Sequence, residues 1–180
     1  DGEIEEAGVA YRSDIGVERY LAIIGKKTAS LMETACEAGA ILAGAPDRAR
    51  EGLGRYGRAF GMAFQLVDDA MDFTGDERRA GKTLGGDMKD GRFTMPVLSL
   101  LEYLKGSQQE RFRRLLAHRS LSNGGARRAA AMVIGHGGVA RTLELARTYT
   151  GEAVAALRGI PAPARIPLET LAELALRRRA

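Results

Sequence analysis

From Val17 to about Gly44, apolar side chains recur with helical spacing at Tyr20, Ile23, Ile24, Leu31, Ala35 and Ile41, predicting one long helix. Ala45-Pro46-Asp47 interrupts it, and Asp47 is placed to cap the next helix. That next stretch, about Arg48 to Phe73, is the most informative in the chain. One face carries Leu53, Tyr56, Phe60, Ala63, Val67 and Ala70, in alternating steps of three and four. A second stripe runs Gly54, Gly57, Gly61, Gln65, Asp68 and Asp72. Each mid-helix glycine costs up to ~1 kcal/mol relative to alanine, so three in one stripe imply close approach of a neighbouring helix. Thr74-Gly75 ends the pattern, and a polar, glycine-rich loop, GDERRAGKTLGGDMKDGRFT, extends to Pro96.

Helical patterns resume over 97–104, 108–117, 123–134, 138–158 and 165–178, punctuated by Asn123-Gly124-Gly125, Gly135 to Gly138, and Ile160-Pro161-Ala162-Pro163. The opening DGEIEEAGVAYRSD reads as the tail of a helix followed by a loop. Its apolar Ile4 and Val9 lead us to expect an amino-terminal segment missing from this chain or lying on another. Strand-length alternation and internal repeats are absent, so the fold class is all-α, in one domain over 1–180. A chain of 180 residues that is 45% hydrophobic can bury a real core. With no tryptophan and 6% aromatic residues, that core is built from Ala, Leu, Ile, Val and Met, which suits packed helices.

Charge narrows the partners only slightly. The net charge of +4 comes from 27 basic and 23 acidic residues, interspersed, and is compatible with an acidic or phosphorylated ligand. The arginine pairs at 113–114 and 127–128 lack neighbouring aromatic residues, so they read as solvated helix faces and no nucleic acid is expected. Cys36 is alone, which excludes an intramolecular disulfide framework or a cysteine metal cluster, and it reads as a small buried side chain. His118 and His136 lack metal-ligand spacing and read as structural. No signal peptide is visible and no apolar run reaches the ~18 residues of a membrane span, so a cytoplasmic protein is expected.

Asp68, Asp69 and Asp72 concentrate the chemistry. Positions i and i+4 share a helix face, so Asp68 and Asp72 point the same way with Asp69 flanking them, and no cation stands among residues 64 to 73. A hard divalent cation such as Mg²⁺ resolves that repulsion. An exposed acidic face without ligand is the competing explanation, weakened by Gln65 one turn earlier and by the glycine stripe leading to the acids. Gly81-Lys82-Thr83 resembles a nucleotide loop but fails the spacing, because Asp76 stands where the first glycine belongs and a helix precedes it. Lys82 is still placed to hold a diphosphate as a point charge, or is simply a solvated loop lysine. Lys26-Lys27-Thr28, taken alone, is an ordinary solvated turn.

Together these residues resemble the trans-isoprenyl (polyprenyl) diphosphate synthase family. GMAFQLVDDAMDFTGDERRAGKTLGGDMKDGRFTMPVL is similar to that family's second aspartate-rich motif with its loop. YLAIIGKKTASLMETACEAGAILAGA resembles the helix with the family's Lys-Thr pair, GEIEE the end of the helix before it, and LETLAELALRRR the last helix. The resemblance implies an all-α isoprenoid-synthase bundle, incomplete here, acting as a homodimer. It implies Mg²⁺-assisted ionisation of an allylic diphosphate, attack on the cation by isopentenyl diphosphate, then proton loss. Carried over by position, Asp68, Asp69 and Asp72 hold Mg²⁺, and Asp87 orients metal-bound water. Lys27, Lys82 and Arg92 grip diphosphate, Thr28 and Gln65 place oxygens near the cation, and Phe64 contacts isopentenyl diphosphate. Arg92 replaces the family's more usual lysine, which keeps the charge but changes its shape. The family's first aspartate-rich motif and its upstream Gly-Gly-Lys are absent. The rival readings are a non-catalytic partner subunit of a prenyl synthase, and a terpene cyclase or head-to-head synthase.

Overall fold

A computed structural model describes residues 1–74, 84–117 and 121–178, and among these every regular element is helical. α1 (Gly2–Gly8) precedes α2 (Val17–Ile24), which passes through a π-turn (Gly25–Ala29) directly into α3 (Ser30–Leu42). Then come α4 (Asp47–Met71), α5 (Gly86–Lys89), α6 (Met95–Tyr103), α7 (Gly106–Leu116), α8 (Asn123–Gly135), α9 (Gly138–Ala156) and α10 (Ala162–Arg177).

The 25-residue α4, about 38 Å long at the standard rise, is the axis of the fold. Its short link from α3 makes the two antiparallel neighbours, α9 packs along α4, and α10 packs on both α9 and α4. The predicted apolar face is the buried one: Tyr56, Phe60, Ala63, Val67 and Ala70 are all buried. Around the amino-terminal half of α4, stacked Tyr56 and Phe60 rings meet Ala153, Leu157 and Ala172. Around its carboxyl-terminal half, Leu66 and Val67 join Leu98, Leu100, Phe112 and Val133. Each large side chain so buried contributes roughly 1.5–3 kcal/mol.

The glycine stripe does what its cost implied. A Cβ on Gly57 would lie 2.4 Å from the Met32 carbonyl oxygen, and one on Gly61 would lie 2.6 Å from Ala29 Cα. Only glycine lets α3 and the π-turn lie this close to α4.

Local expectations needed revision at several points. The single helix over Val17 to about Gly44 contains the π-turn, which apolar spacing does not reveal, and ends at Leu42. Asp47 is the first residue of α4 and caps nothing with its side chain, Pro46 standing at the cap position. α6 and α10 begin earlier than predicted because Pro96 and Pro163 sit in their first turns, where a missing N–H costs nothing. The loop before Pro96 contains the short helix α5. Cys36 is half-buried, with its thiol pushed up by burial. His136 is exposed, its Nδ1 3.0 Å from the Met132 carbonyl oxygen; His118 lies outside the described residues. Among the described residues no helix is long and apolar enough to cross a membrane.

Candidate functional site

The π-turn and the acidic end of α4 are joined by a chain of hydrogen bonds. In the π-turn the Ser30 N–H donates to the Gly25 carbonyl, five residues back, which widens the helix at Lys27 and Thr28. Gly61 seats this wide turn against α4, and Gln65 stands one turn further along. Thr28 Oγ1 donates to Gln65 Oε1 at 2.7 Å, and Gln65 Nε2 donates to Asp69 Oδ1 at 3.2 Å. Tyr20 O–H on α2 donates to Asp69 Oδ2 through a very short contact, and the Met95 N–H at the start of α6 lies 3.5 Å from the same oxygen. Asp69 thereby ties four segments together while only 2% exposed. Burial pushes its carboxyl up to about 7, against the opposing pull of these three donors. Burial and the adjacent Asp69 raise the Tyr20 hydroxyl well above its ordinary range.

Lys27 faces carboxylates on α1. Its Nζ lies 2.6 Å from Glu6 Oε2 and 3.4 Å from Glu3 Oε2. Burial, the largest single influence, would lower its pKa, but Glu6 and Glu3 together outweigh it and hold the ammonium above its ordinary value. Neighbouring Lys26 and Arg19 share Glu5, at 2.5 and 2.9 Å. α1 can lie this close because a Cβ on Gly2 would meet the Lys27 nitrogen at 2.4 Å.

The remaining acids face elsewhere. Asp68 is exposed, 3.5 Å from the Arg178 guanidinium, which also lies 4.3 Å over the Phe64 ring. Asp72 is half-buried and accepts the N–H groups of Gly86 and Asp87, both at 3.2 Å. Burial first, then the charge of Asp87, pushes its carboxyl up to about 6, while those two amides oppose the shift. Gly85 makes this approach possible with a left-handed φ of 73°. Arg92 bonds Asp87 Oδ1 from Nη2 at 2.6 Å and from Nε at 3.1 Å, and Asp90 at 3.2 Å. Asp87 holds its guanidinium above the ordinary value.

Of the residues expected at the site, Thr28, Gln65 and Asp69 are thus linked through direct hydrogen bonds, as are Asp72, Asp87 and Arg92, whereas Lys27 pairs with Glu6 and Glu3. Phe64 and Asp68 meet through Arg178. Lys82, on which a diphosphate grip was expected, lies outside the described residues. Asp69 does not flank Asp68 and Asp72 at the surface. It turns into the core, and among the described residues no three carboxylate, histidine or cysteine side chains converge. Asp72 and Asp87 are close enough to repel, and their carboxylate oxygens are the donor type that suits a hard cation retaining most of its waters, while Asp68 faces Arg178 instead. Two residues escaped the sequence reading. Tyr20 counted only as an apolar helix position, and Arg178 only as the end of the last helical pattern.

Known proteins are similar to this chain in sequence and in fold. The family described as Polyprenyl synthetase matches residues 1–133. The octaprenyl diphosphate synthase of Escherichia coli is 33% identical over 183 residues, covering 99% of this chain and 55% of that protein. Component 2 of the heptaprenyl diphosphate synthase of Geobacillus stearothermophilus is 44% identical over 100 residues, covering 56% of this chain and 31% of that protein. The polyprenyl synthase of Caulobacter crescentus, crystallised with calcium and isoprenyl diphosphate, superposes with a TM-score of 0.90 at 38% identity. That match covers 99% of this chain and 55% of that one. The chain thus spans about half, or less, of the length of these relatives. With its fold and its aspartate-rich segment both matched, the chain belongs to the polyprenyl synthetase family.

Proposed function

We propose that this chain contributes the allylic-diphosphate face of an enzyme that condenses isopentenyl diphosphate with an allylic diphosphate to make a longer trans-polyprenyl diphosphate. One observation carries the reading. The Thr28–Gln65 hydrogen bond ties the Lys27-Thr28 turn to the end of α4 that carries Asp68, Asp69 and Asp72.

In this reading Asp68 and Asp72, with Asp87, hold Mg²⁺, which neutralises charge on a departing diphosphate. Lys27 exchanges its bonds to Glu3 and Glu6 for diphosphate oxygens, so the α1 carboxylates keep the ammonium charged and oriented until substrate arrives. Arg92 adds positive charge beside Asp87, and Lys82 is assigned to the diphosphate from the family resemblance alone. Thr28 and Gln65 present oxygen atoms to a carbocation, their hydrogens already committed to one another and to Asp69. Phe64 supplies an apolar surface that excludes water, a competing nucleophile. Asp69 and Tyr20 act as positioning residues beneath them. The enzyme is proposed to be cytoplasmic and to work as a homodimer, with 1–180 as the carboxyl-terminal part of its all-α domain. The name of the Geobacillus relative, component 2 of a synthase, favours assembly with a different subunit as the second reading.

The test is incorporation of labelled isopentenyl diphosphate into lipid-soluble product by the full-length protein, with Mg²⁺ and a short allylic diphosphate. Product lengthened by one or more five-carbon units is expected, and its loss in Asp68→Ala ties it to this site. Incorporation unaffected by Asp68→Ala would refute the assignment. Absence of incorporation, alone and with a supplied second subunit, would refute the activity.

A further inference from the structure

Far from the aspartates in sequence, α7 and α8 form a hairpin of unusual charge. Residues 104–136 hold seven Lys and Arg against one acid, Glu110, whereas the rest of the chain holds 20 basic and 22 acidic residues. The hairpin therefore carries more than the whole net charge of the chain. Between its helices lies an open groove of about 770 Å³, with Leu104, Leu115 and Met132 along its floor and Arg111, Arg114 and Arg128 on its walls. All three arginines are exposed, and among the described residues none makes an ion pair or hydrogen bond. Several surface arginines elsewhere pair with nearby acids, as Arg58 does with Glu33, Arg147 with Glu144 and Arg177 with Glu173, while among the described residues Arg48 and Arg158 stand singly without such a pair. Three free guanidinium groups around one apolar trough are a different arrangement.

Apolar side chains extend this surface outward. Ile134, 46% exposed, follows Ala131 on the outer side of α8. Tyr103, 60% exposed, lies at the His136 end of the groove. There Arg141 donates to the His136 carbonyl at 2.9 Å and lies 4.7 Å over the Tyr103 ring. Guanidinium groups bind phosphate oxygens through paired N–H groups, and a tyrosine ring with an aliphatic neighbour suits the boundary between headgroups and acyl chains. A nucleic-acid strand would call for a succession of aromatic faces to stack its bases, and among the described residues the groove offers only Tyr103 and His136 at one end.

We propose that the α7–α8 hairpin is a docking surface for an anionic phospholipid membrane. Arg111, Arg114 and Arg128 engage lipid phosphates, and Tyr103 and Ile134 enter the interface. The inference rests on this surface alone and is independent of the reading of the aspartate site.

Flotation of the full-length protein with vesicles of phosphatidylcholine containing roughly one-third phosphatidylglycerol tests it. Binding is expected to these vesicles and not to pure phosphatidylcholine, and to weaken steeply as salt rises to about 0.5 M. The triple variant Arg111→Glu, Arg114→Glu, Arg128→Glu is expected to lose at least ~100-fold in affinity while keeping its melting temperature and prenyl-transfer rate. The paired variant Tyr103→Ser, Ile134→Ser, which leaves the charges in place, is expected to bind more weakly with an unchanged salt dependence. Undiminished binding by the triple variant would overturn the proposal, as would equal binding to neutral vesicles. Capture of polyglutamate or single-stranded DNA in preference to anionic vesicles would overturn it too. So would release from vesicles by millimolar inorganic phosphate, which would mark a free-anion site.

Discussion

The two halves of α4 lie in one continuous helix yet solve different problems. As far as Gly61 the stripe facing α3 and the π-turn is glycine, and its contribution is shape: Gly57 and Gly61 remove the Cβ atoms that would hold Met32 and Ala29 away. In the carboxyl-terminal half the same stripe turns to Gln65, Asp68 and Asp72, and its contribution is polarity. The first half makes the second work, because Gly61 seats the π-turn from which Thr28 reaches Gln65. Within the second half a further division separates neighbours. Asp68 faces outward, while Asp69 is buried under Tyr20, Gln65 and Met95. A run of acids on a helix is therefore not one site by default.

The sharpest way to break the arrangement is to fill the stripe. Gly61→Leu should destabilise the protein by about 3 kcal/mol or more in urea unfolding, because the added atoms meet backbone rather than the yielding end of a side chain. Next comes the exposed acid. Asp68→Ala should lower prenyl-transfer turnover by at least ~100-fold, about 2.7 kcal/mol. Its unfolding free energy should change by under ~1 kcal/mol, since its pair with Arg178 is a surface one. Tyr20→Phe should show the converse balance. Losing the donor to a buried carboxylate should cost about 2 kcal/mol of stability.

The pH dependence of the metal-free protein sharpens the same contrast. Asp69 titrates near 7 in the folded state and near ~3.9 unfolded, so the folded protein binds the extra proton. This stabilisation is complete below the unfolded value and is lost as pH rises through about 7; Asp72, raised to about 6, acts in the same sense. With chelator present, unfolding free energy should rise by about 1–2 kcal/mol between about pH 8 and about pH 6. Asp69→Asn should remove most of that slope, which denaturant titrations at the two pH values would detect. The smallest effect is expected from Arg92→Lys, a few-fold loss in turnover, about 1 kcal/mol, because charge is kept and the two-pronged contact with Asp87 is lost.

Much of this was legible in the sequence. Apolar spacing located the long helices, and the glycine stripe announced a close helix contact before any partner was known. The aspartates, with Gln65 and Lys27-Thr28, pointed to diphosphate chemistry through their resemblance to a family. What escaped depends on long-range placement. A π-turn changes one hydrogen-bond register and leaves the apolar pattern of Val17 to Gly44 intact. Tyr20 is an apolar helix position by spacing, and its hydroxyl acquires a role only because Asp69 lies 49 residues away in sequence and within bonding distance in space. Asp69 itself is indistinguishable from Asp68 until α6 closes over it.

The division of labour between Asp68 and Asp69 is the centre of this account, and pyrophosphate binding by the full-length protein tests it most directly. Calorimetric titrations would compare wild type, Asp68→Asn and Asp69→Asn, each with Mg²⁺ and with chelator. The account predicts that Asp68→Asn abolishes the Mg²⁺-dependent part of binding, while Asp69→Asn retains it with at most a several-fold weaker affinity. Full metal dependence in Asp68→Asn, with its loss in a folded Asp69→Asn, would contradict it.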